Sequence, residues 1–133
     1  IIELARFFEN SDFVEGLIKE IKELPVETAR VKLMDLPGVG RKTADVILLM
    51  YFNKPTFPVD THITRITKRL GVVKRDDYEA IRRFWMENLD PGDYLEAHML
   101  LITHGRLTCK ARNPLCKQCV IRDYCSYYTG NVS

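Results

Sequence analysis

The chain has 133 residues, 46% of them hydrophobic and 29% charged, which suits one compact domain or two small ones and excludes a disordered chain. Twenty Lys and Arg against eighteen Asp and Glu leave a formal charge of +2, so the total points to no polyanion partner and any such preference must lie in how charge is distributed. There is no apolar run long enough to cross a membrane, and the Ile1-Ile2 start lacks a basic-then-apolar leader, which predicts a soluble intracellular protein with no membrane partner.

Ile1 to Phe8 is apolar at nearly every position of a helical face, and a chain opening mid-pattern in this way implies a further segment upstream. Asn10-Ser11-Asp12 offers caps for a second helix over Phe13 to Leu24, where Phe13, Leu17, Ile18 and Ile21 fall at helical spacing and Pro25 ends the pattern. A third segment, Glu27 to Leu36, carries Ala29, Leu33 and Leu36 on one side and runs into Leu36-Pro37-Gly38-Val39-Gly40-Arg41-Lys42-Thr43-Ala44. Two glycines two apart permit a positive-φ turn in which peptide N–H groups crowd a concave surface suited to a phosphate. The apolar run Ala44 to Phe52 then reads as a mostly buried helix, so the whole forms a helix-hairpin-helix with Lys42 at the start of its second helix.

The unpaired N–H groups of a helix start disfavour a second positive charge, and burial beside the apolar run would push Lys42 the same way, toward a neutral amine. Lys42 is therefore either a phosphate contact or a nucleophile. Asp45, three residues on, is a rival carboxylate whose expected role is a local ion pair on the same helix.

Asn53-Lys54-Pro55-Thr56-Phe57-Pro58 punctuates the chain with two prolines and marks a domain junction, dividing 1–54 from 55–133. Val59-Asp60-Thr61-His62-Ile63 begins another helix with Asp60 as its N-cap; Arg65, Lys68 and Arg69 decorate it and Gly71 closes it. Asp76 to Asn88 and Asp93 to Leu107 complete a helical inventory in which no alternating strand pattern occurs, so the chain reads as all-α. His62 and His104 are expected to donate structural hydrogen bonds, and Trp85, beside Phe84, to be core.

All four cysteines fall in one short stretch, as C-x6-C-x2-C-x5-C over Cys109, Cys116, Cys119 and Cys125. Disulfides staple distant segments, and structural zinc joins two C-x2-C pairs across a longer gap, so both fit less well than a [4Fe–4S] cluster wrapped by a compact loop that Pro114 stiffens. Lys110, Arg112, Lys117 and Arg122 interleave with the thiols, where they could offset the charge of a cluster or meet phosphate.

The hairpin at 36–44, V-D-T-H-I at 59–63, H-G-R-L-T-C at 104–109 and the cysteine loop together resemble the endonuclease III family of helix-hairpin-helix DNA glycosylases. The resemblance implies that Lys42 is the catalytic amine and Asp60 the catalytic carboxylate. It implies that Gly38, Val39 and Gly40, with Arg41 and Thr43, grip the backbone of duplex DNA, helped by a monovalent cation on hairpin carbonyls, and that Lys110, Arg112 and Lys117 also meet DNA. Cys109, Cys116, Cys119 and Cys125 would hold a [4Fe–4S] cluster. The junction would separate part of a helical barrel from the cluster domain, with the active site in the cleft between them.

Relatives that remove adenine resemble this hairpin but carry a small hydroxyl residue at the lysine position, and thymine-mismatch relatives carry tyrosine. Lys42 thus implies a bifunctional, monomeric glycosylase and abasic-site lyase acting on damaged, oxidised pyrimidines. Family members begin well before the point matching Ile1, which implies that the rest of the barrel and the base pocket lie outside this chain. The alternatives are a DNA-binding module without chemistry, a mismatch-specific thymine glycosylase, or a purely structural or redox iron–sulfur protein.

Overall fold

The computed structural model describes residues 11–75 and 77–132, and every regular element among them is helical. The helix expected over Ile1 to Phe8 lies outside the described residues. The helices are α1 (Ser11–Glu23), α2 (Val26–Met34), α3 (Arg41–Met50), α4 (Thr61–Leu70), α5 (Tyr78–Asn88), α6 (Tyr94–Leu107) and α7 (Ser126–Val132). The chain divides between Pro58 and Val59 into two compact units. No described helix is long and apolar enough to cross a membrane.

In the first unit the helical spacing seen in the sequence becomes a core. Leu17 and Ile21 of α1, Ala29 and Leu33 of α2, Val39 of the hairpin, and Ala44 and Leu48 of α3 are buried together. Each large aliphatic side chain removed from water in this way contributes about 1.5–3 kcal/mol. Pro25 separates α1 from α2 with φ −58°, and its carbonyl accepts from Ala29 N at 2.8 Å, so it starts the second helix as it ends the first. Lys54 Nζ donates to the carbonyls of Lys22 (3.2 Å) and Leu24 (2.8 Å), supplying donors to carbonyls that the end of α1 leaves without an intrahelical partner.

The same unit holds a buried polar link. Arg30 Nε of α2 meets Asp45 Oδ1 of α3 at 2.7 Å, and the Thr56 hydroxyl donates to the same oxygen at 2.6 Å. Asp45 is fully buried. The local ion pair expected for Asp45 is thus corrected: its partner comes from the preceding helix, because the face of α3 that carries Asp45 is turned inward with Ala44 and Leu48 rather than lying on the surface with Lys42.

In the second unit α4 is the central element and packs against α5, α6 and α7. Its ends behave as the sequence predicts: Asp60 caps the N-terminus by accepting from Ile63 N at 2.8 Å, and Gly71 closes the C-terminus with φ +83°. Gly71 has a second reason to be glycine, since a Cβ there would stand 2.5 Å from Ser126 Oγ and 2.8 Å from Ser126 Cβ. Thr67, buried on α4, donates to the carbonyl of Ile63 and accepts from Trp85 Nε1 at 2.9 Å. Trp85 packs edge-on against Phe84, which fits the expected core role. The Tyr94 hydroxyl, whose titration burial pushes upward, donates to the carbonyl of Met86 at 2.9 Å.

Candidate DNA-repair site and iron–sulfur loop

The hairpin of the first unit is built from one strained turn and one open helix start. Gly38 has φ +80°, a conformation other residues adopt only at a cost, while Gly40 is extended at φ −95° and caps α3 without a side chain. The expected positive-φ turn is thus supplied by Gly38 alone; at Gly40 an added Cβ would meet nothing. Val39 turns its side chain into the core, which pins the turn and leaves only its backbone to face outward. Gly38, Gly40, Arg41, Lys42 and Thr43 are all exposed. The first N–H groups of α3 have no carbonyl one turn back, and a glycine cap gives them no side-chain acceptor, so this helix start can receive an anion.

Lys42 is the second residue of α3. The expected burial against the apolar run is corrected: Lys42 is exposed. Lys42 sits on the first turn of α3, ahead of the buried Ala44, Asp45, Leu48 and Leu49, so the apolar run covers the turns that follow it and leaves its side chain in water. Asp60, the other expected catalytic residue, belongs to the second unit, where it is half-buried and bonded to the start of α4.

Two residues after Asp60, His62 Nδ1 lies 2.9 Å from Arg65 Nη2. A guanidinium can only donate, so Nδ1 accepts: the bond is structural, but the histidine takes the acceptor part where donation was expected. Arg65 goes further, donating from Nη2 to the carbonyl of Gly105 (2.9 Å) and from Nε to that of Cys109 (3.0 Å). Gly105 is buried, and a Cβ on it would stand 2.8 Å from His62 Cβ, so α4 and α6 meet closely here.

From Thr108 to Cys125 the chain has only two short helical turns, Cys116–Gln118 and Arg122–Tyr124. Cys109, Cys116, Cys119 and Cys125 are all free thiols and all line one small void, together with Arg69, Pro114, Leu115 and Arg122. Burial pushes the Cys116 thiol up, the neighbouring Cys109 and Cys125 add to this, and Arg69 opposes it. Among the described residues no three His, Cys, Asp or Glu side chains converge tightly enough to hold a single metal ion. A tetrahedral zinc needs four sulfurs at about 2.3 Å from one point, whereas a cubane takes four thiolates spread around its corners. The ring of thiols around a void, free of competing carboxylates, fits a [4Fe–4S] cluster.

Two arginines one turn apart on α4 hold this loop, and the sequence showed them only as surface decoration. Arg69 Nη1 donates to Cys109 Sγ (3.3 Å) and to the Lys110 carbonyl (2.7 Å), and Nη2 to the Ala111 carbonyl (3.2 Å). Its guanidinium also lies 4.8 Å above the centre of the Tyr127 ring. Arg65 and Arg69 stand at i and i+4, the spacing that puts both on one helix face, and this was the available signal. His104 Nε2 lies 3.6 Å from Cys119 Sγ, and burial pushes its imidazole down. Of the interleaved cations, Arg122 lines the void and donates to the Lys117 carbonyl at 2.6 Å, while Lys110, Arg112 and Lys117 are exposed.

Comparison with known proteins agrees with this loop. Residues 109–125 match the iron–sulfur binding domain of endonuclease III, so the chain carries an iron–sulfur cluster site. Over 130 residues the chain is 42% identical to endonuclease III of Sulfolobus acidocaldarius, covering 96% of this chain and 58% of that protein. Two solved structures superpose with a TM-score of 0.76 at 31% identity: a non-covalent endonuclease III–DNA complex and a trapped endonuclease III–DNA covalent intermediate. The alignments cover 98% of this chain and 56% and 57% of those chains. The chain thus spans little more than half the length of these relatives.

Proposed function

We propose that this chain, which belongs to the endonuclease III family over the length it spans, is the hairpin-and-cluster portion of a base-excision DNA glycosylase with abasic-site lyase activity. The observation that carries this reading is Lys42, an exposed amine on the first turn of α3 directly after an anion-receptive hairpin, in a chain similar to a protein that was trapped covalently on DNA. The unit that ends at Pro58 is part of a helical barrel and the unit that begins at Val59 is the cluster domain, and the protein works in the cell on damaged, oxidised pyrimidines in duplex DNA.

The base must leave the stack before chemistry, at a cost of a few kcal/mol that is smallest for damaged or mispaired bases. The Lys42 amine then attacks C1′ of the deoxyribose; the C1′–N bond breaks, the base departs with the bonding pair and a proton, and the amine becomes an imine to the opened sugar. The imine is the electron sink for loss of the C2′ proton and β-elimination of the 3′ phosphate. Asp60 steadies positive charge developing on the sugar and moves protons to and from the amine. Backbone N–H groups of Gly38, Val39 and Gly40, with Arg41 and Thr43, bind phosphate and set register without reading sequence. Exposed Lys110, Arg112 and Lys117 add phosphate contacts. Cys109, Cys116, Cys119 and Cys125 hold the [4Fe–4S] cluster, which fixes the loop carrying those cations.

The test is borohydride reduction of the chain with an abasic duplex. A covalent protein–DNA adduct forms with the wild type and is absent from Lys42→Ala; equal trapping of the two would overturn the nucleophile assignment. A second reading, DNA binding without chemistry, rests on the exposed hairpin residues Gly38, Gly40, Arg41 and Thr43 and on exposed Lys110, Arg112 and Lys117, which suffice to meet phosphate without a nucleophile. It predicts salt-sensitive duplex binding with no adduct.

A further inference from the structure

We infer that Arg69 is a positioning residue that sets the electron affinity of the iron–sulfur cluster, through a charged N–H bond to the Cys109 sulfur. Among the side chains lining the void, two are cationic, and they differ in what they reach. Arg69 points a guanidinium N–H at Cys109 Sγ at 3.3 Å, while Arg122 spends its Nη1 on the Lys117 carbonyl at 2.6 Å.

A hydrogen bond to a ligand sulfur draws charge off the thiolate, and a nearby cation offsets the extra negative charge that reduction adds, so both favour the reduced cluster. Arg69 supplies both at one atom. Its geometry is over-determined, since two backbone carbonyls, at Lys110 and Ala111, and the Tyr127 ring hold the guanidinium plane. The fork is what makes this possible: a planar guanidinium can serve a sulfur and two carbonyls at once, which a lysine ammonium on a shorter reach cannot.

The inference rests on the four thiols holding the cluster. Iron content and visible absorbance of the wild type report on that premise separately from the measurement below. Holoprotein is poised on an electrode at the wild-type midpoint, and the reduced-to-oxidised ratio is read by its visible and paramagnetic spectra. In Arg69→Gln that ratio falls about tenfold, equivalent to ~59 mV for a one-electron couple. In Arg122→Gln, which removes a charge from the lining of the same void but no bond to sulfur, it falls by less than half as much in millivolts. Arg69→Lys falls between the wild type and Arg69→Gln. An unchanged ratio in Arg69→Gln overturns the inference, as does an equal fall in Arg122→Gln, which would assign the effect to charge alone. Should Arg69→Gln retain no iron, Arg69→Lys carries the test: a fall in the ratio supports the assignment and a wild-type ratio overturns it.

Discussion

Asp60 holds two roles that a pair of substitutions separates. Its Oδ1 accepts from Ile63 N and so caps α4, and the proposed chemistry needs its negative charge. Asn keeps an acceptor oxygen at the cap and removes the charge. Asp60→Asn is expected to unfold within a few tenths of a kcal/mol of the wild type, whereas Asp60→Ala loses about 1 kcal/mol with the cap. Both should lose strand cleavage at an abasic site. Denaturation midpoints and a cleavage assay read the two effects independently, and full cleavage by Asp60→Asn would leave Asp60 as a cap alone.

Between elements, one buried link is polar. Arg30 on α2 and Asp45 on α3 are both buried, and Arg30→Met leaves the carboxylate without its guanidinium while keeping side-chain bulk. Removing one partner of a buried ion pair costs about 3–5 kcal/mol, most of it the penalty on the charge left behind. Urea unfolding of Arg30→Met should show a lowered midpoint at an unchanged slope; a shift below about 1 kcal/mol would mean that Thr56 and the other neighbours suffice. This link also marks where sequence reading stops. The helices were legible because apolar spacing and caps are local: Leu17 with Ile21, Ala29 with Leu33, Asp60 at one end of α4 and Gly71 at the other. The cysteine loop was legible from its spacing. The partner of Asp45 was not, since it lies on the preceding helix and spacing tells which face a residue occupies, never what stands opposite. The same limit hid Arg65 and Arg69 behind the description of a charged helix. Lys42 was misjudged in burial because the apolar run that follows it covers the later turns of the helix and not the first.

For the molecule as a whole, the stretch from Thr108 to Cys125 depends on what its thiols hold. Two short helical turns and the bonds from Arg65 and Arg69 are the main order it has of its own, so much of its ordering free energy must come from the bound group. Stripping the iron with a chelator under reducing conditions should raise the rate of tryptic cleavage after Lys110, Arg112 and Lys117 by about tenfold or more, as a locally opened segment becomes accessible. Restoring iron and sulfide should reverse it. Equal cleavage of the loaded and stripped forms would show that the loop is ordered without its cluster. Loss of duplex affinity on stripping would follow from the same opening, because three exposed cations ride on this segment.

The contact between Gly71 and Ser126 bears on that loop from its far end. Ser126 follows Cys125 directly, and its Cβ would stand 2.8 Å from a methyl on Gly71, closer than two carbons can come. A bare hydrogen on one helix therefore determines how far the final sulfur ligand can swing in. A single added methyl, nowhere near iron or DNA in the sequence, would act as a shim that lifts the fourth corner of the cage off its seat.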